Sequence, residues 1–468
     1  VYKLVKPQGY FGFSATIGNC PGSLVGSHGQ APISSFGKGP IFMEIRCLWE
    51  ATSRESSIVS STLDSQQDAD VCIIGGGITG LSTAFHLAEQ GVKVTLIEAK
   101  EIPSGGSGRS VGLVNAGLWI PPDDIVKTLG KENGERANSI LGSAPGEVFN
   151  IIEAHNIECD ATRTGTLHLA HNAKGAKELT RRRDQLQNRG APVELIEGDD
   201  CQRLTGTERI EGALLDRRAG TLNPTAYTRG LARAAQSAGA DIYTQSPVVR
   251  LEKCRDGWRA ITPKGSITAQ RVVLATNAYT EDTWNQVRNN FFPGYFFQVA
   301  SRPLAEDILP DILPERQGAW DTRTVLSSIR RDSEGRLILG SLGRGDGKPL
   351  SYIKCWANRV REHYFPQLGE VEWECTWTGR IAFTPDHTLR IFEPAPGILA
   401  VTGYNGRGVT TGTVVGKGFA HYIINSDDHF LPFKIQPSRP ISGKQLWKAA
   451  YETGFSLYHA GQCLKILI

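Results

Sequence analysis

The stretch "DVCIIGGGITGLSTAFHL", Asp70 to Leu87, restricts the possible folds more than any other part of the chain. "VCII" reads as a short buried strand, Gly75, Gly77 and Gly80 make G-x-G-x-x-G, and Leu81, Ala84, Phe85 and Leu87 then recur at helical spacing. A second apolar run, "VKVTLIE", ends in Glu98. Each glycine answers a mechanical need. The first makes the tight turn, the second admits a pyrophosphate close to the backbone, and the third lets helix and strand touch. The helix start turns free amide N–H groups and a positive dipole end toward the phosphates. Glu98 falls about 20 residues downstream, where an acid can accept hydrogen bonds from a ribose diol. Together these features predict a βαβ unit that binds a dinucleotide. NAD and FAD share the fingerprint, so it does not choose between them.

The rest of the chain sets the frame for that unit. Its 468 residues, 40% hydrophobic with 52 glycines, can bury a large core divided among two or three globular units. A net charge of +3 is too mild for a nucleic-acid partner, and the basic run "TRRRD" near Arg181 reads as a solvated helix face. The nine cysteines never adopt CxxC or zinc-ligand spacing, which predicts reduced thiols in a cytoplasmic protein and no metal site. Residues 1–64 are expected to form a flexible N-terminal extension: 1–42 show neither a signal-peptide pattern nor periodicity, and the single methionine, Met43, is the expected translation start. No run reaches the roughly 18 apolar residues that a membrane span requires.

Two later segments narrow the cofactor. "RVVLATNAYT", Arg271 to Thr280, is a strand ending in small residues, and "GILAVTGYNGRGVTTGTVVGK", Gly397 to Lys417, is a strand leading through a glycine-rich turn into a small-residue helix. This arrangement resembles the D-amino acid oxidase family of flavoproteins, in which an N-terminal dinucleotide motif holds FAD and a late strand-to-helix turn reaches the flavin ring. "SGGSGRSVGLVNAGLW" stands where that family carries a loop beside the flavin, and "TWTGRIAFTPDHTLRI" resembles its W-x-G-x-x-x-x-T-x-D segment through Trp377, Gly379, Thr384 and Asp386. Among its subfamilies the chain is most similar to the bacterial L-pipecolate oxidase and gamma-glutamylputrescine oxidase group.

The resemblance implies an α/β fold: a Rossmann-like FAD-binding domain with an inserted, mainly antiparallel substrate domain. The expected FAD-binding pieces are 65–160, 201–290 and 376–440, and the substrate-domain pieces are 161–200 and 291–375, with a tail at 441–468. "GTLHLA", "PVELIE", "GYFFQVAS", "TVLSSIRRD" and "GRLILGS" read as substrate-domain strands, and "AKGAKELTRRRDQLQNR" as a polar-faced helix. The tail, rich in Leu446, Trp447, Phe455 and Leu457 with interspersed lysines, suits a helix packed on the substrate domain or one lying at a membrane interface.

Site expectations follow. Gly75, Gly77, Gly80, Glu98 and Val248 would hold the nucleotide half. Arg109, Ser110 and Gly112 would contact the pyrophosphate or ring, and Gly379, Asn405, Gly406, Arg407 and Gly408 would surround the ring. Covalent-flavin relatives carry a cysteine at the place of Gly379, so noncovalent FAD is expected here, with Cys375 as a nearby thiol. Arg330 and Arg380 are candidate carboxylate forks, with Trp377, Trp119 and Tyr295 as aromatic walls. No histidine is singled out, and His387 is read as a satisfied loop residue. Beyond the flavin no catalytic side chain is required. The expected chemistry is oxidation of a C–N bond in a cyclic or N-substituted amino acid, L-pipecolate first, with gamma-glutamylputrescine or another amine as the alternative, and a non-catalytic flavin scaffold as the reading from another class. Oxygen or a respiratory quinone would accept the electrons, and a quinone would permit peripheral attachment to the inner membrane.

Overall fold

Along the strand Gln66–Ile74 exposed and half-buried residues alternate for five positions, and then Val71 to Ile74 are buried without a break. That pattern belongs to a strand whose second half enters the middle of a parallel sheet covered on both faces. The computed structural model describes residues 43–281 and 284–464. In it this strand pairs in parallel with Val94–Ile97 on one side and with Ser266–Leu274 on the other. Asp241–Tyr243 extends the parallel set beyond Val94–Ile97, and Ile398–Thr402 joins it beside Val272 to Leu274. An antiparallel hairpin, Arg250–Cys254 and Gly257–Ile261, lies against the first half of Ser266–Leu274. Helices Ile78–Ala88, Pro224–Ser237 and Gly408–Asn425 pack together with Lys131–Ala154 to cover one face.

The second sheet has nine strands and is largely antiparallel, with parallel pairs only where Gly318–Asp321 meets Thr166–Ala170 and where Glu44–Ile45 meets Trp373–Phe383. Its register places one row of residues side by side on successive strands: Leu214, His168, Trp320, Ser328, Gly340, Gln298 and Trp377. Directly opposed residues on adjacent strands project to the same face, so this row forms part of a roof over the parallel sheet. Gly340 keeps the row close: a Cβ there would lie 2.6 Å from Ser328 Oγ and 3.1 Å from Gln298 Cγ.

Three expected boundaries shift. Residues 1–42 lie outside the described residues, but 43–64 are not a loose extension. Glu44–Ile45 adds a strand to the roof, and Leu48, Trp49 and Leu63 are buried. The strand Gly212–Asp216, assigned above to the FAD-binding piece 201–290, pairs with Thr166–Ala170 and belongs to the roof. Trp373–Phe383 likewise crosses the expected boundary at 376 as one uninterrupted roof strand. Pairing across a sheet depends on partners distant in the chain, and local sequence does not record them.

The tail forms the helix Lys444–Cys463 and packs on the roof. Phe292 stacks on Trp447, with centroids 5.8 Å apart, and meets Tyr451 edge to face. Phe455 and His459 are buried, and His459 Nε2 hydrogen-bonds the carbonyl of Leu342 at 2.7 Å. No helix among the described residues is long and apolar enough to cross a membrane.

Candidate functional site

A cavity of about 1250 Å³ runs between the end of the parallel sheet and the roof. Its floor is made by the glycine fingerprint. Gly75 has φ +114, and its N–H donates to the carbonyl of Ile97 at 2.9 Å. Gly76 donates its N–H to Glu98 Oε2 at 2.7 Å. Gly77 precedes the helix Ile78–Ala88 and has no side chain to cap it, while Ser107 Oγ accepts the Ile78 N–H at 3.0 Å. A Cβ on Gly80 would fall 2.0 Å from the carbonyl oxygen of Gly75, so only glycine lets helix and turn meet. Gly80 therefore supports the turn without lining the cavity. Glu98 is oriented by the Lys100 N–H and the Ser104 hydroxyl, at 3.0 and 3.1 Å on Oε1, and Val248, Ala275 and Thr276 line the walls beside it.

Farther along, Arg109 donates to the carbonyls of Ser104 and Thr378 at 3.3 and 3.2 Å, joining the first loop to the roof. Ser110 lines the cavity, and its carbonyl accepts from Trp49 Nε1 at 2.8 Å. Gly112 does not line it. With φ +76, and with a Cβ that would meet the Leu222 carbonyl at 2.1 Å, it shapes the turn. Asn405, at φ +51, accepts the Thr384 N–H on Oδ1 at 2.9 Å, donates from Nδ2 to the Gly403 carbonyl at 2.6 Å, and receives Trp119 Nε1 on its own carbonyl at 2.6 Å. These bonds hold Gly406 and Gly408 at the cavity wall, where the helix Gly408–Asn425 begins without a side-chain cap. Nothing lies within 4 Å of a Cβ built on Gly408. Two helix starts thus open on one cavity, each with a positive dipole end, although the first N–H of Ile78–Ala88 is already held by Ser107 Oγ. With Glu98 at one end, this donor set fits the phosphates, ribose and electron-rich ring edge of FAD.

Gly379 also lines the cavity, and a Cβ there would lie 2.3 Å from the Phe296 ring. A cysteine would need that ring to move. Cys375 is fully buried away from the cavity, and burial pushes its thiol up to about 12, far from nucleophilic.

The roof and rim carry Gln298, Ser328, Trp320, His168, Tyr295 and Arg380. The Arg344 guanidinium covers the Tyr295 ring at 4.5 Å, and that of Arg380 lies 5.6 Å from the Tyr279 centroid. Two expected substrate contacts fall outside the cavity. Arg330 lies two residues beyond Ser328 on the same strand face, where Trp49 and the 111–112 turn close over it. It is 0% exposed and donates from Nη1 to the carbonyls of Val111 and Leu222, both at 2.8 Å. Trp377 ends the roof row beneath Trp49 and donates Nε1 to the Arg109 carbonyl at 3.0 Å. Asp386 pairs with Arg390 at 2.8 Å and steadies its turn. His387 does reach the cavity, contrary to expectation, with a buried Nδ1 that lacks a partner.

Arg182, His168 and Trp320 escaped sequence reading, although "GTLHLA" and "TRRRD" contain the first two. Arg182 donates to the carbonyls of Leu118 and Trp119, the latter at 2.5 Å. His168 stacks on Trp320 at 5.0 Å, and burial with the charges of Arg182 and Arg407 holds its pKa well below the usual value, so it is neutral. Arg407 is placed differently from a simple ring contact. Its guanidinium lies 4.4 Å from the Trp119 centroid and 5.0 Å from that of Trp320, and burial with Arg182 nearby brings its pKa down to about 9.

Comparison with known proteins agrees with this geometry. The chain is 28% identical to the probable oxidoreductase OrdL of Haemophilus influenzae over 388 residues, 82% of this chain and 89% of that one. It is 27% identical to the gamma-glutamylputrescine oxidoreductase of Escherichia coli over 402 residues, 85% and 94% of the two chains. Glycine oxidase from Geobacillus kaustophilus has the same fold, with a TM-score of 0.66 and 21% identity over 81% of this chain and 99% of that one. Residues 70–422 match the family model of the FAD dependent oxidoreductases, which includes both helix starts and most of the roof, and the chain therefore belongs to that family, as an FAD-dependent amine or amino-acid oxidoreductase.

Proposed function

We propose that the chain oxidises the C–N bond of an amine that also carries a carboxylate, with FAD held noncovalently between the parallel sheet and the roof. The observation that carries this reading is the continuity of the cavity from Glu98, past both helix starts, to a roof lined by Trp320, Ser328, Gln298 and Tyr295. At about 1250 Å³ it exceeds the roughly 300–1,000 Å³ of an ordinary single-ligand pocket, leaving room for a second molecule beside a dinucleotide. Bound FAD supplies a two-electron acceptor for hydride removal. The residues present would position the donor: the roof row would confine the chain of the amine, and the Gly408 helix start would supply positive potential to a ring that gains negative charge.

Two substrates fit that description. L-pipecolate places carboxylate and amine on one ring carbon, whereas gamma-glutamylputrescine places the amine of putrescine at the far end of a long chain from a carboxylate that carries its own α-amino group. Likeness over 94% of the gamma-glutamylputrescine oxidoreductase favours the second. The test is anaerobic bleaching of the flavin by matched amines. Bleaching by gamma-glutamylputrescine well below the concentration needed for pipecolate supports the long-chain reading, the reverse order restores pipecolate, and bleaching by neither rejects both. Acid precipitation should leave yellow FAD in the supernatant; colour retained in the pellet rejects noncovalent binding.

A further inference from the structure

The C-terminal helix Lys444–Cys463 ends on a thiol, and the helix Leu350–Tyr364 packed beside it carries another, Cys355. The two side chains share a hydrogen bond. Their chain neighbours fix this meeting: Trp356 Nε1 donates to Gln462 Oε1 at 3.2 Å, and the Trp356 ring meets that of His459 edge to face at 5.9 Å. Trp356, His459 and Gln462 are all buried, so core side chains set the register of the two helices, while both sulfur-bearing residues stay half-buried at the edge where small solutes can reach. Tyr352, one turn before Cys355, lies close to both thiols. Neither cysteine lines the cavity, and no third metal-ligating side chain joins them among the described residues. What this arrangement serves is a bond between the two sulfurs. The start of the same helix presents Lys444, Gln445 and Lys448 to the cavity rim, so one helix runs from the rim to the thiol pair.

We propose that Cys355 and Cys463 form a peroxide-responsive disulfide that fastens the last turn of the C-terminal helix to Leu350–Tyr364 and thereby holds that helix over the cavity rim. The oxidant is hydrogen peroxide, and the proposal does not depend on which amine the protein oxidises. Burial, and then the hydrogen bond with Cys355, push the Cys463 thiol up, so it stays protonated and the first attack falls to Cys355. The Cys355 sulfur attacks one peroxide oxygen, the O–O bond breaks, and the leaving hydroxide takes up a proton as water. The Cys463 sulfur then attacks the resulting sulfenic acid, an S–S bond forms, the S–O bond breaks, and a second water leaves. Two thiols lose two electrons and one peroxide gains them. Bringing the sulfurs to about 2.05 Å shortens a contact that already exists. Cys47 and Cys375 also stand near one another, but Cys375 is fully buried and closed to peroxide.

Titration of the reduced, FAD-loaded protein with hydrogen peroxide tests this. The count of reactive thiols should fall by two per chain, a non-reducing digest should yield a peptide joining Cys355 to Cys463, and dithiothreitol should reverse both. Release of FAD on dilution should slow at least about twofold in the linked protein, because the bond suppresses local opening of the helix, and return to its first rate on reduction. Cys355→Ser and Cys463→Ser should each abolish the linked peptide and the slowing, and Cys355→Ala and Cys463→Ala should do the same. Absence of the linked peptide, a link between Cys47 and Cys375 in its place, or a link between separate chains overturns the disulfide. A linked protein that releases FAD at the rate of the reduced one overturns its role in holding the helix. The amine-oxidoreductase reading is untouched by either failure, since flavin bleaching by amines is measured on the reduced protein.

Discussion

Gly80 and Gly408 both stand in the first turn of a helix, yet they answer different constraints. A methyl group on Gly80 meets the Gly75 carbonyl at 2.0 Å, whereas one on Gly408 meets nothing within 4 Å. Gly80→Ala is therefore expected to destabilise the fold by at least about 1–3 kcal/mol through overpacking, read from denaturant midpoints. Gly408→Ala should fold with unchanged midpoint but bind FAD more weakly, because the space its methyl enters belongs to the ligand; undiminished FAD affinity would remove Gly408 from the site. Half-buried histidines weaken the fold in acid. Burial holds His86 and His363 at about 4, below the ordinary 6.5. The unfolded chain then binds protons that the folded chain refuses, so stability is full above 6.5 and falls as pH drops from 6.5 toward 4, His86 adding up to about 1.4 kcal/mol per pH unit and the more exposed His363 less, because solvent screens it. His86→Asn should flatten that slope in melting curves measured across the same window.

At the level of elements, most of the strands were legible because their apolar runs are dense. "RVVL", "ILAVT" and "RLILGS" appear as Ser266–Leu274, Ile398–Thr402 and Arg336–Leu342. The segment 43–64 was not legible, since two short elements with only Met43, Leu48, Trp49 and Leu63 to bury carry no period. The C-terminal helix Lys444–Cys463 could be read as amphipathic, but not as to what covers its apolar side. Phe292, Tyr451 and Phe455 form that contact, and Lys444 and Lys448 reach the cavity rim. Truncation after Arg439 should accordingly lower the melting temperature and increase exchange of bound flavin, as measured by thermal unfolding and by FAD release on dilution. A truncated protein with unaltered melting temperature would show that the helix is dispensable to the fold.

For the whole molecule, the cavity lies between two sheets with separate cores, so FAD held there would stabilise by touching both. Removing it should lower the melting temperature, and adding it back at about 100 times its Kd should restore about 2.7 kcal/mol; an unchanged melting point would place FAD against one sheet only. The dinucleotide unit could be read from the letters alone, because a glycine fingerprint, its helix and its terminal acid lie within one short stretch, and each must be a particular residue for local steric reasons. The Gly403–Gly408 turn was marked in the same way. The destination of the arginines was not. Arg330, Arg380 and Arg407 are alike as letters, but strand register and the closure of Trp49 over Arg330 bury the first behind the turn, leave the second at the rim, and set the third in the corner of two perpendicular tryptophans drawn from distant parts of the chain. Local spacing encodes a backbone cradle. The partners of a side chain across two sheets are decided only when the sheets pack.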